Sequence, residues 1–201
     1  LYLLLFMVLP FAVSGNITLF LKTIAEPKNI EDAVGDILRG FLAGLFYAGL
    51  VLGGAYKVIG GILNIEITPF NVLGKFASLK LSIAETITTQ KHIFLTFLLD
   101  YQTIGLNEEL IMSIFTVLVL LFFGIRYGKD KIDFSNDKVW YALIIRGIGF
   151  AFVHLFAYTQ VGFHLGAFIS AFIAGVFFGF LQLWRGLACN FVAHGTYDFI
   201  Y

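Results

Sequence analysis

Cysteine is almost missing from this chain: 201 residues hold one, Cys189, inside an apolar stretch. An intrachain disulfide is therefore impossible, and so is a zinc site built on paired cysteines. Any metal would have to be held by His, Asp or Glu. Charge is scarce too, at 13% of residues with a formal sum of +0, against about 25% charged residues in ordinary soluble domains. No basic field is present to recruit nucleic acid, and no acidic tail to act as a solvated spacer. Nor does the chain carry HExxH, GxSxG, a Walker A loop or GxGxxG after a strand, which excludes the common soluble enzyme templates.

Apolar side chains fill the space that charge leaves. Hydrophobic residues make up 59%, where roughly 45–50% is usual, and the mean hydropathy is +0.90. Too few polar side chains remain to coat a globule of this size, so lipid should be the solvent for most of the surface. The expected fold class is all-α: a polytopic membrane helix bundle of about six or seven transmembrane helices, with the bilayer itself as a partner.

A bilayer core takes about 20 mostly apolar residues per helix. Residues 1–21, "LYLLLFMVLPFAVSGNITLFL", meet this, are longer than a signal-peptide core and have no basic flank before them, so they read as a first membrane helix kinked at Pro10. An opening on Leu1 rather than Met is what a trimmed chain would give. A polar link over 22–36 leads to a second span at 37–62, where Gly40/Gly44 and Gly49/Gly53 have the four-residue spacing of closely packed membrane helices and Lys57 can snorkel. Residues 63–91, with Pro69 and scattered charges, suggest a loop plus an interfacial helix. The run at 92–104 is short, and Gly105 breaks the pattern.

Further spans follow at 106–125, 139–158 and 161–183, and Arg185 interrupts before a last helix at 186–201. That last segment is about 24 Å long as a helix, so it is short or cut at its end. The connection at 126–138 carries Arg126, Lys129, Lys131 and Lys138, which leans it toward the cytoplasm by the positive-inside rule.

In so apolar a chain, the informative residues are ionisable ones inside spans, since each must be paired, hydrated or used. Glu108, Glu109, His154, His194 and Asp198 are the strongest of these, on three different helices. Glu108 and Glu109 point about 100° apart on a helix and would ordinarily find separate partners. Two acids after Asn107 also suit a plain helix start beside water. His154 closes "GFAFVH" deep in its span, two turns after Arg146, which also needs a partner or a watery cavity; a lone histidine there could equally be a structural hydrogen-bonding residue. His194 and Asp198, in "HGTYD", are four apart and share a helical face, as a salt bridge, an orienting pair or co-ligands. His92, beside Lys91, and His164, without an acidic neighbour, read as structural. A carboxylate that activates water and imidazoles that hold a metal, donate to an oxyanion or protonate a leaving amine would make a hydrolytic site.

The order of "EELIMS", "FAFVH" and "HGTYD", with "AGVFFGFLQLWRGLACNFVAHGTYDF" around the last, resembles the CAAX protease and bacteriocin-processing family of intramembrane proteases over roughly residues 92–201. That resemblance implies a catalytic helical core at 92–201 with a conical, water-accessible cavity, preceded by membrane helices and an interfacial segment at 1–91. It implies an intramembrane endopeptidase in the plasma (cytoplasmic) membrane that cleaves a hydrophobic or prenylated, CAAX-type protein or peptide. Glu108 would activate water, Glu109 support it, His154 and His194 complete the site, and Asp198 stand where Asn or Asp is usual. The resemblance does not settle whether a metal takes part, and Zn²⁺ held by His154 and His194 is one option. The family's first motif reads EExxxR, and this chain has Ser113 in place of the arginine. Either Arg146 or Arg126 supplies that charge, or the site is weakened, or the protein is a non-catalytic member acting in bacteriocin self-immunity or peptide binding. A proton or ion relay through the buried groups fits the charges but not the order of the motifs.

Overall fold

Six helices and no strand make up the described residues, which in this computed structural model are 30–67, 102–128, 132–158 and 165–200. They are α1 (Ile30–Leu52), α2 (Ala55–Leu63), α3 (Gln102–Phe122), α4 (Asp137–Tyr158), α5 (Leu165–Arg185) and α6 (Leu187–Ile200). Glycine sets two of the breaks. Gly54 (φ 92) separates α1 from α2, and Gly186 (φ 95) separates α5 from α6, both in the left-handed region that L side chains avoid. The loop before α4 closes on itself: Ser135 donates its amide and hydroxyl to Asp133, which holds that carboxyl below its usual pKa, and Asn136 caps the helix through the Lys138 amide.

Helix seams form where glycines let backbones meet. The most extensive one among the described residues joins α1 to α6, which run parallel. Gly40 lies against the Cys189 backbone, and a Cβ at Gly44 would come 2.5 Å from the Ala193 carbonyl and 2.7 Å from Thr196. On the other side α4 runs antiparallel to α5, with Gly147 against Phe172 and Val176 and Gly175 against Phe150. α3 crosses α6 at Gly105, where a Cβ would sit 2.7 Å from the Gly195 amide and 2.9 Å from the Phe191 carbonyl. At one end of the bundle Asp36 of α1 pairs with Arg39 at 3.2 Å and lies 3.9 Å from Arg185 of α5. α2 folds back toward α1 and α5, its Tyr56 hydroxyl 2.6 Å from that of Tyr47 and donating to the Ser170 carbonyl.

The outer surface is apolar. Val34, Ile37, Leu38, Leu42, Leu45 and Phe46 are exposed along α1, as are Ile144, Phe152 and Val153 along α4 and Phe122 at the end of α3. Among the described residues two helices, over Glu31–Val51 and Leu165–Arg185, are long and apolar enough to cross a membrane.

Several expected boundaries shift. The second span begins at Ile30, inside the expected polar link, and ends at Leu52 because Gly53 and Gly54 turn the chain. Of the two glycine pairs in it, Gly40/Gly44 pack tightly, whereas Gly49 has no neighbour against it among the described residues. Gly105 breaks nothing: α3 starts at Gln102, and the glycine is the contact point with α6. At the turn into the last helix the break is Gly186, with Arg185 as the final residue of α5. The expected first span at 1–21, most of the interfacial segment, His92 and His164 lie outside the described residues.

Candidate active site

α3, α4 and α6 carry the acids and imidazoles to one place. The close approach at Gly105 and Gly195 brings one face of α3 against α6, and the next turn of α3 then delivers both glutamates. Since α3 begins at Gln102, Glu108 and Glu109 lie past its first turn, where the helix macrodipole offers them little. Their partners are side chains instead.

Glu109 is fully buried, and both of its carboxylate oxygens are engaged. Its Oε2 accepts hydrogen bonds from Arg146 of α4 and from Asn190 of α6, and its Oε1 lies 2.9 Å from His194 Nδ1. Glu108 differs: 39% of its side chain is exposed, against none of Glu109's. Its Oε2 lies 3.6 Å from His154 Nε2 and 3.7 Å from His194 Nε2, just beyond direct hydrogen-bond length. Despite pointing apart on their helix, the two glutamates thus meet the same imidazole, one at each nitrogen.

Hydrogen bonds fix how both histidines present themselves. His154 Nδ1 lies 2.8 Å from the Phe150 carbonyl, an obligate acceptor, so that nitrogen donates and Nε2 faces Glu108. His194 Nδ1 donates to Glu109, which leaves its Nε2 between Glu108 and Asp198, the latter at 3.6 Å. Aromatic rings hold the planes: Phe178 stacks on His194 at 4.4 Å, and Phe150 lies 4.3 Å from His154. A water seated over Glu108 Oε2 could reach both Nε2 atoms.

All five residues expected from the sequence therefore lie together. Arg146 joins them, whereas Arg126 is exposed in the loop beyond α3. Ser113 is buried, and its hydroxyl has no partner among the described residues. His154 and His194 are the two imidazoles a metal could use, and a catalytic zinc ordinarily takes three protein ligands. Among the described residues no three His, Cys, Asp or Glu side chains are arranged to hold a metal ion.

Over residues 90–200, more than half of the chain, the sequence matches the family described as Type II CAAX prenyl endopeptidase Rce1-like. The chain belongs to the Rce1-like family. Rce1-like proteins are membrane-embedded proteases, in keeping with the apolar outer surface described above. No curated protein and no solved structure matches.

One member of this Rce1-like site is passed over by motif reasoning. Asn190 is fully buried and holds Glu109. The signal was present, since Asn190, His194 and Asp198 recur every four residues and so form one polar stripe on an apolar helix.

Proposed function

We propose that this Rce1-like chain is an intramembrane endopeptidase that hydrolyses a peptide bond of a hydrophobic or prenylated, CAAX-type substrate with water activated by Glu108. The convergence of Glu108 with the Nε2 atoms of His154 and His194, within 3.7 Å, carries this reading. Glu108 accepts a proton from water as the water oxygen bonds to the scissile carbonyl carbon, and the carbonyl electrons move to its oxygen. His154, with Nδ1 donating to Phe150, offers its Nε2 lone pair to the second water hydrogen and so orients the attack. His194, protonated at both nitrogens beside Glu108 and Asp198, donates from Nε2 to the oxyanion. When the carbon–nitrogen bond breaks, Glu108 returns its proton to the leaving amine, and a carboxyl group and a free amine remain.

Membrane context follows the same reading. The chain would be a multi-pass protein of the plasma membrane with six or seven spans, its residues 92–201 forming the catalytic core around a conical cavity open to water and residues 1–91 supplying additional membrane contact. The case for a non-catalytic immunity or peptide-binding protein rests on Ser113, and Arg146 meets that objection by pairing with Glu109. If Zn²⁺ is used, His154 and His194 would hold it and it would polarise the carbonyl; the two imidazoles fall short of an ordinary zinc set, and no step above runs through it.

The test is cleavage of a synthetic peptide ending in a farnesylated CAAX sequence by the protein purified in detergent. Glu108→Gln, His154→Ala and His194→Ala are each expected to lower kcat by roughly 10²- to 10⁴-fold while the protein stays folded. Wild-type cleavage by Glu108→Gln would falsify the mechanism. Inhibition by a zinc chelator, reversed by added Zn²⁺, would bring the metal in.

A further inference from the structure

We propose that Arg146 is the positioning residue of the site: it fixes the Glu109 carboxylate and, through it, commits His194 Nδ1 so that Nε2 is aimed at the oxyanion. The inference rests on the roles given above to Glu108 and His194. Arg146 is the largest fully buried side chain among the described residues. An unpaired guanidinium in an apolar bundle is strongly unfavourable, so its contacts must be made. Nη2 donates to Glu109 Oε2 and Nη1 to the Gly175 carbonyl.

The bundle is shaped around this side chain. A Cβ at Gly179 would lie 2.5 Å from Arg146 Cδ and 3.0 Å from its Nε, so only glycine leaves the guanidinium its path. The nearer source of a cation would be position 113, one turn beyond Glu109 on its own helix. Ser113 stands there instead, buried, with its hydroxyl unpartnered beside Gln182, whose Oε1 also has no partner among the described residues. The charge that holds Glu109 therefore crosses from α4.

The consequence reaches His194. With Oε2 occupied by Arg146 and Asn190, Glu109 presents Oε1 alone to Nδ1, as a pure acceptor. That contact puts the proton on Nδ1. Without the cation Oε2 loses its charged partner, the Glu109 side chain is free to turn away, and Nδ1 loses the acceptor that keeps a proton on it. Nε2 would then lose the imidazolium charge that strengthens its bond to the oxyanion, on a ring no longer held in place.

The full chain in detergent, with histidines labelled with ¹⁵N, tests this in Arg146→Ala, in Arg146→Lys and in Arg146→Ala combined with Ser113→Arg. Wild type is expected to show His194 protonated at both nitrogens, and Arg146→Ala to lose the proton on Nδ1. Arg146→Ala should lower kcat roughly 10- to 100-fold with little change in KM. The added Ser113→Arg should recover Nδ1 protonation and part of kcat. A folded Arg146→Ala protein that keeps either wild-type kcat or Nδ1 protonation overturns the proposal. If Arg146→Ala does not fold, Arg146→Lys carries the same two readouts, since an ammonium cannot bridge Glu109 and Gly175 as the planar fork does. The NMR arm needs no substrate, so normal cleavage by Glu108→Gln would end the protease reading and leave this proposal to be judged by the proton on His194.

Discussion

Asn190 donates one hydrogen bond, from Nδ2 to Glu109, and its Oδ1 has no partner among the described residues. Asn190→Ala removes a hydrogen bond to a charged group, worth about 1.5–3 kcal/mol. Asn190→Asp should be worse, because it sets a second carboxylate against a buried first one. Unfolding midpoints in detergent are expected to fall in the order wild type, Asn190→Ala, Asn190→Asp. The reverse order for the two variants would mean that Glu109 is not ionised. At this scale the sequence was informative about chemistry and poor about pairing. Helical spacing placed His194 and Asp198 on one face, but the tie between Arg146 and Glu109 crosses from α4 to α3, and no periodicity within one helix encodes such a contact.

Glycines decide the helix seams, and they divide into two kinds. Gly44 lies under the α6 backbone, whereas Gly49, five residues on, has nothing among the described residues within 4 Å of a Cβ position. Gly44→Ala should therefore overpack the α1–α6 seam and cost about 1–3 kcal/mol. Gly49→Ala should gain about 0.5–1 kcal/mol, since alanine loses less backbone entropy in a helix interior. Equal effects of the two on the thermal midpoint would contradict the seam. Sequence spacing made both pairs look alike, because a four-residue interval reports which residues share a face and not what faces them. The same limit hid Gly105, which looks like a breaker in a linear reading and serves as the crossing point of α3 with α6. Where the apolar pattern was long, as at 139–158 and 161–183, the helices came out close to their expected bounds.

For the molecule as a whole, Cys189 provides a direct check. It is the sole thiol, fully buried where α6 meets Gly40 of α1. A maleimide should leave the folded protein unmodified and label it in step with global unfolding. Rapid labelling of native protein would mean that the α1–α6 seam opens. Composition called for a lipid-facing molecule, because the shortage of polar surface is a property of the total, and the length of the apolar runs called for helices, which the described residues are. It could not say which helix meets which, and that is where the site arises.

Arg146 and Gly179 make one further demand, which concerns inheritance. The arginine needs the glycine's missing Cβ, while a cation at position 113 would make no such claim on α5. A lineage that moved its charge to α4 would have had to fix Gly179 first or alongside it, and would afterwards be unable to drift at that position without losing the arginine. Relatives carrying a cation at 113 should be free to place a larger residue at 179, so the three positions are expected to change together.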